Sequence, residues 1–231
     1  MVHVLDRASR VALDLLFPPR CALCRRGGAM LCDACAEALP PAGGRRCLRC
    51  WMPLAKDAAC RHCTVEPPSF ASIRAAFVME EGARQLAHAL KYDGMTALAS
   101  PMAGLIFDRL DPGPADLVVP VPLHGGRRRS RGFNQSELLA KHLAAAAWLP
   151  VDALAARRVR ATKPLAKTMH RDERRAIVEG AFAGVPERLE GRRVLLVDDV
   201  VTTGATLDAC SKALLAAGAA SIHCVTFARA D

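Results

Sequence analysis

Arg193-Val-Leu-Leu-Val-Asp-Asp-Val-Val-Thr-Thr-Gly-Ala-Thr206 decides the fold. Val194 to Val197 form a short apolar run without alternation, the pattern of a central parallel strand covered on both faces. Asp198 and Asp199 are read as ending that strand. Val201, Thr202, Thr203, Gly204, Ala205 and Thr206 form the turn, after which Leu207, Cys210 and Leu214 recur at helical spacing up to a stop at Gly218. The local order is strand, loop, helix. In open α/β sheets the ligand crevice lies beyond the carboxyl ends of the strands, so both acids and the turn should face one pocket. Small residues at a helix start let backbone N–H groups converge, and three threonine hydroxyls add donors, which suits a terminal phosphate. Carboxylates repel phosphate but suit the 2- and 3-hydroxyls of an attached sugar, directly or through water on Mg²⁺. A Walker loop needs a Lys after the glycine and a dinucleotide fingerprint needs three glycines; neither is present. The expectation is a ribose 5-phosphate site, and the bland competitor is an acidic turn before a capped helix.

Upstream, Leu117 to Val119 reads as a second buried strand, followed by Pro120-Val-Pro-Leu-His-Gly-Gly-Arg-Arg-Arg-Ser-Arg-Gly-Phe-Asn-Gln135. Two adjacent glycines with Arg127, Arg128, Arg129 and Arg131 predict a loop that opens onto a helix near Asn134, capped there with Glu137 three residues on. Arginines beside a helix start suit a multiply charged phosphate group, although a solvated basic loop or a DNA-backbone contact would use the same residues. Ile73 to Met79 reads as the first strand of this domain. Gly82 to Tyr92 and Met95 to Leu110 read as helices, Asp111-Pro-Gly-Pro114 as a break, and Ser221 to Ala228 as the last strand. Val185-Pro186 and Glu190-Gly191 read as turns. Arg157, Arg158, Arg160, Lys163, Lys167, Arg171, Arg174 and Arg175 cluster without clear period.

The amino-terminal part obeys different rules. Cys21/Cys24, Cys32/Cys35, Cys47/Cys50 and Cys60/Cys63 are four C-x-x-C knuckles, and two knuckles complete the tetrahedral shell of one structural zinc. Eight thiolates make two ions, and sequential pairing, first knuckle with second and third with fourth, needs only short hairpins and is preferred, with interleaved pairing left open by the spacing. His62 is read as a bystander. So small a module cannot hold itself together by apolar burial, so metal supplies its folding energy. Before it, Val4, Leu5, Ala8, Val11, Ala12, Leu15 and Leu16 share one helical face that ends at Pro18-Pro19. Asp6, Arg7, Arg10 and Asp14 interrupt that segment, so it lacks a signal-peptide core, and no other run is long and apolar enough to span a bilayer. The chain is therefore expected in the cytoplasm, its thiols reduced, without membrane insertion. The organisation expected is a helix over 1–19, a double zinc ribbon over 20–66 and an α/β domain over 69–231. A net charge of +9 favours anionic partners, while 4% aromatic residues leave little for an extended base-stacking platform.

Taken together, the 193–206 stretch resembles the phosphoribosyl pyrophosphate (PRPP) motif of type I phosphoribosyltransferases. The cysteine pairs, Leu90-Lys-Tyr-Asp-Gly94, Pro120-Val-Pro-Leu-His124, Arg131-Gly-Phe-Asn-Gln135 and Gly180-Ala-Phe182 resemble the ComF/GntX family in the same order over nearly the whole chain. The resemblance implies a parallel-sheet, Rossmann-like α/β domain behind a double zinc ribbon, with PRPP or a nucleotide-like ligand bound together with Mg²⁺. It implies that Val201 to Thr206 cradle the 5-phosphate and that His124, Arg127, Arg128 and Arg131 bind pyrophosphate. Asp198 and Asp199 would hold sugar hydroxyls and metal-bound water, and Lys163 would approach the leaving pyrophosphate. It also implies links to competence and DNA uptake, with single-stranded DNA and a helicase as partners. Where the family shows a Gln, a Gly-Leu pair and an Asn, this chain has Leu165, Lys167-Thr168 and Ile177, so the acceptor and turnover itself stay open. The rival readings are a non-catalytic nucleic-acid-binding scaffold and a purine or pyrimidine salvage enzyme, the second disfavoured by the zinc module. Oligomeric state stays open as well.

Overall fold

The computed structural model describes residues 18–55, 58–162 and 171–230. The amphipathic segment before Pro18 and Lys163 lie outside the described residues. In chain order the elements are α1 (Asp33–Glu37), α2 (Arg61–Val65), β1 (Ser72–Val78), α3 (Glu81–Tyr92), α4 (Ala99–Arg109), β2 (Leu117–Pro120), α5 (Gly125–Arg131), α6 (Gln135–Ala146), β3 (Ala156–Arg158), α7 (Arg171–Val178), β4 (Phe182–Gly184), α8 (Pro186–Leu189), β5 (Arg193–Val201), α9 (Ala205–Ala216) and β6 (Ser221–Arg229).

Four strands form one parallel sheet in the order β1-β6-β5-β2. Their apolar runs do not alternate because both faces are covered. Along β5, Val194 and Leu196 join one core with Leu207, Cys210 and Leu214 of α9, whereas Leu195 and Val197 join the other with Leu139 and Leu143 of α6 and Met102 of α4. β6 does the same with Ile222 and Cys224 on the first face and Val225 and Phe227 on the second. Two apolar sets per strand give the continuous hydrophobic signature of a doubly covered sheet.

Several local expectations need correction. β5 does not stop at Asp198. It stays paired with β6 as far as Val201, because Asp198 and Val200 find ladder partners in Thr226 and Ala228. The arginine-rich segment expected as a loop folds into α5, with His124 Nδ1 accepting from the Gly126 N–H at 3.3 Å and Gly132 (φ +84°) ending the turn. The basic stretch without period contains β3 and α7, and β3 pairs antiparallel with β4 in a separate two-stranded sheet. A short helix, α8, stands between Val185 and Glu190.

Both cysteine groups assemble as sequential pairs. The thiols of Cys21, Cys24, Cys32 and Cys35 lie within 4.8 Å of one another, as do those of Cys47, Cys50, Cys60 and Cys63. The second group sits against the sheet, and Cys47 and Cys50 belong to the same buried cluster as Phe70 and Ile73. Pro40 to Ala42 runs along the β1 edge, where Ala42 N–H donates to Ala76 O and Val78 N–H to Pro40 O, both at 2.9 Å.

Candidate functional site

The carboxyl ends of β2 and β5 open into a cavity of about 190 Å³ that Asp198, Asp199, Thr206, Arg127, Arg131, Arg158, Lys91, Gln135 and Ser136 help to line. Strand pairing fixes the acids. Val197 of β5 is in register with Pro120 of β2, so Asp198 and Asp199 lie just past the point where β2 stops and the chain turns toward α5. α6 begins beside them with a polar first turn. Asn134 Oδ1 accepts from the Ser136 N–H at 3.1 Å, and its amide donates to Val121 O at 3.0 Å, tying the helix start to the end of β2. That anchor delivers the Ser136 hydroxyl to Asp198 Oδ1 at 2.7 Å and the Gln135 amide to Asp199 Oδ1 at 3.4 Å.

Lys91 completes the acid pair. Its ammonium lies 2.5 Å from Asp199 Oδ2, the carboxylate being almost fully buried. Burial alone would lower the lysine, but the charges of Asp199 and Asp198 outweigh it and hold it above the ordinary range. Asp198 moves the opposite way to a normal surface acid. Burial, and then the neighbouring Asp199 charge, push its carboxyl up to about 7, against the opposing pull of Ser136 and Lys91. One cation for two carboxylates leaves negative charge unbalanced. A sugar diol or a hydrated Mg²⁺ suits that pair, with Asp198 and Asp199 as the groups to hold it.

The opposite wall is cationic. Arg127 donates to Thr162 O at 2.8 Å, Arg158 donates to the Thr162 hydroxyl, and Arg131 donates to Gln135 Oε1 at 2.6 Å while its guanidinium lies 5.0 Å from the Tyr92 ring centroid. Burial and the charge of Arg127 lower the pKa of Arg158. Its buried Nε has no hydrogen-bond partner among the described residues. Crowded guanidinium groups in a concave wall call for a polyanion. A second cavity of about 290 Å³ adjoins this wall, sharing Lys91, Tyr92, Arg127 and Arg131 and adding Gly94, Ser130 and Phe133.

The turn after β5 lies at the third side. Gly204 has φ +82° and immediately precedes α9, and Ala205 N–H donates to the Thr203 hydroxyl at 3.4 Å. Thr206 reaches the acid-lined cavity, whereas Ala205 borders a larger one of about 610 Å³ walled by Glu66, Arg175, Asp208 and Lys212. There the charges are already matched: Arg175 pairs with Glu66 and, at 3.6 Å, with Asp208, which Lys212 also approaches at 3.6 Å. The smaller cavity is the better candidate because it brings two adjacent acids together with three arginines, of which Arg158 keeps an Nε without a partner among the described residues.

Among the residues expected at the site, Asp198, Asp199, Thr206, Arg127 and Arg131 converge on one cavity. Arg128 does not; it points to Glu137 at 3.2 Å, which also takes Lys141 at 3.0 Å rather than reaching back as a capping-box acid. His124 acts as the α5 cap. Sequence reasoning singled out Lys91 only as part of a family element and Arg158 only within the basic cluster where type I phosphoribosyltransferases carry a flap over the active site, and it gave Gln135 and Ser136 no role in the cavity. The Arg-Gly-Phe-Asn-Gln run ends on Gln135, and that was the available signal.

The thiols fit zinc. Sulfur separations are 3.7 Å for Cys24 and Cys32, 3.7 Å for Cys47 and Cys63, and 3.4 Å for Cys50 and Cys60. A tetrahedron with Zn–S of about 2.3 Å has edges of about 3.8 Å. Cys210 and Cys224 are buried on the sheet, and burial pushes both thiols well above their usual range, so neither is poised as a nucleophile.

Comparison with known proteins matches residues 12–64 to a double zinc ribbon domain and residues 132–231 to a phosphoribosyl transferase domain. The DNA utilization protein YhgH of Salmonella typhimurium is 31% identical over 224 residues, covering 90% of this chain and 96% of that protein. The competence protein ComFC of Bacillus subtilis is 28% identical, covering 86% and 84%. Among solved structures, a glutamine PRPP amidotransferase from B. subtilis overlaps 56% of this chain and 26% of its own length, at 24% identity and a TM-score of 0.40.

Proposed function

This chain belongs to the ComF family, and from that premise we propose that it binds PRPP or a related ribose 5-phosphate with Mg²⁺, in the service of DNA or nucleotide use. One observation carries the reading: two adjacent acids, a threonine at a helix start and three arginines face one cavity at the carboxyl ends of parallel strands. Val201 to Thr206 would take the 5-phosphate, Asp198 and Asp199 the diol, and Arg127, Arg131 and Arg158 the pyrophosphate. Mg²⁺, when bound, supplies charge neutralisation on the pyrophosphate.

If turnover follows, the reaction is displacement of pyrophosphate from C1 by a nitrogen nucleophile. The protein's part is electrostatic, with the guanidinium groups stabilising charge that grows on the departing group. Relatives named for competence and DNA utilization support a link to DNA handling. We assign the chain to the cytoplasm on its paired thiols; no described helix is long and apolar enough to cross a membrane.

Calorimetry with PRPP and with pyrophosphate, each with and without Mg²⁺, tests this. PRPP with Mg²⁺ should release binding heat and raise the melting temperature, and Asp198→Asn with Asp199→Asn should abolish both while leaving the zinc content unchanged. No heat and an unchanged melt at millimolar PRPP would refute the reading. DNA binding with a steep salt slope, lost on substitution of Arg127 and Arg131 but indifferent to the acids, would favour the scaffold reading instead.

A further inference from the structure

Arg229, at the end of β6, is the bulkiest of the fully buried side chains among the described residues, at 1% exposure. Its guanidinium reaches in two directions. Nη1 donates to Cys50 O at 2.9 Å, and Nη2 donates to Thr202 O at 3.0 Å while also meeting Met52 Sδ. Cys50 is one of the four thiols of the second cysteine site, and Thr202 opens the turn between β5 and α9. A single planar group therefore joins a metal knuckle to the phosphate turn.

We infer that Arg229 is a positioning residue through which metal in the second Cys₄ site sets the shape of the Thr202–Thr206 turn. This rests on the reading of that turn as the 5-phosphate cradle. The physical basis is the trans peptide. Its C=O and N–H point to opposite sides, so holding Thr202 O on the ribbon side turns the Thr203 N–H away from the ribbon. The donor array of a phosphate cradle depends on such orientations.

Metal matters at the other end. Zinc closes the Cys47-x-x-Cys50 knuckle and so fixes the direction of the Cys50 carbonyl, and a zinc tetrathiolate is anionic overall, which favours a buried guanidinium beside it. The knuckle is tied down around this contact. Ile73 N–H donates to Arg49 O at 2.7 Å, Arg49 donates to Pro68 O at 2.6 Å, and Arg74 donates to Leu48 O at 2.6 Å with its guanidinium 4.7 Å from the Trp51 ring centroid. The first site packs elsewhere, with Cys21 and Leu39 in the cluster of Leu86 and Leu90 from α3. Coupling is therefore specific to the second ion.

Lysine keeps the charge but lacks the fork that spans two carbonyls. In the full-length chain, Arg229→Lys should retain two zinc ions, speed hydrogen exchange of the 202–206 amides, and weaken ribose 5-phosphate about tenfold with pyrophosphate affinity unchanged. Cys63→Ser should lose one zinc and reproduce the faster exchange in the turn, whereas Cys35→Ser should lose one zinc and leave the turn as it was. If Arg229→Lys does not fold, the two cysteine variants carry the same comparison. Wild-type exchange in the turn of both Arg229→Lys and Cys63→Ser, or equal effects of Cys63→Ser and Cys35→Ser, would overturn the inference. A turn that responds as expected in a protein that binds no ribose 5-phosphate would uphold the tie and refute the cradle.

Discussion

Asp198 carries the least comfortable charge in the cavity. Its folded-state pKa, about 7, lies above its ordinary value of 3.8, so between those limits the folded protein holds a proton that the unfolded chain has released. The sign follows from linkage: the folded state binds more protons, and the contribution of this group to stability falls as pH rises from about 4 to about 7. Asp198→Asn removes that penalty. Its melting temperature should match the wild type near pH 4 and exceed it at pH 8, in melts recorded across the series; a gap that stays constant with pH would show that Asp198 ionises freely. Ligand binding should run the other way. Mg²⁺ with PRPP should bind more tightly at pH 8 than at pH 6, because the carboxyl must be ionised to serve a cation. The adjacent acids were plain in the sequence, but the lysine that half-neutralises them lies far upstream in Leu90-Lys-Tyr-Asp-Gly94. No local pattern reports that Lys91 comes within 2.5 Å of Asp199.

The elements around the site show which rules of local folding prevailed. Gly204 is the residue on which the turn depends. A Cβ there would meet Ile73 at 3.5 Å, an ordinary contact, so space is available, but φ +82° is left-handed. Gly204→Ala should therefore cost about 1 kcal/mol of stability through backbone strain alone. If the turn relieves that strain by rotating, ribose 5-phosphate affinity should fall further than stability does, and denaturant melts beside calorimetry separate the two. An Ala variant that binds as well as wild type would show that the turn tolerates the change. Asn134→Ala belongs to the same scale: it removes both the α6 cap and the bond to Val121 O, and should cost about 1–2 kcal/mol by denaturant melt. β1, β2 and β6 were legible as continuous apolar runs, the mark of strands covered on both faces, and α3 and α9 by the helical spacing of their buried residues. α5 was not, since two glycines argue for a loop. The helix exists because His124 caps it, and a cap histidine carries no strong propensity signal.

At the scale of the whole molecule, the cysteine knuckles were legible, but the structure was needed to settle their pairing and their relation to the sheet. Contacts such as Arg229 with Cys50 join residues from opposite ends of the chain, and hydrophobic period cannot register them. The ribbons turn out to solve a problem for the α/β domain. β1 is an edge strand of largely buried residues, and an unprotected edge of that kind recruits other strands. Pro40 to Ala42 occupies it through two backbone hydrogen bonds, while Leu39 and Cys21 on one side and Cys47 and Cys50 on the other extend its two apolar faces. Stripping zinc with a strong chelator under reducing conditions should therefore do more than unfold a small module. The apo chain should bind a hydrophobic dye and grow in light scattering, and its remaining transition should melt at lower temperature. Zinc with reductant should reverse the change if it is added before aggregates form. A chelated chain that stays monodisperse, binds no dye and keeps the wild-type transition would mean that the sheet protects its own edge and that the ribbons serve partners alone.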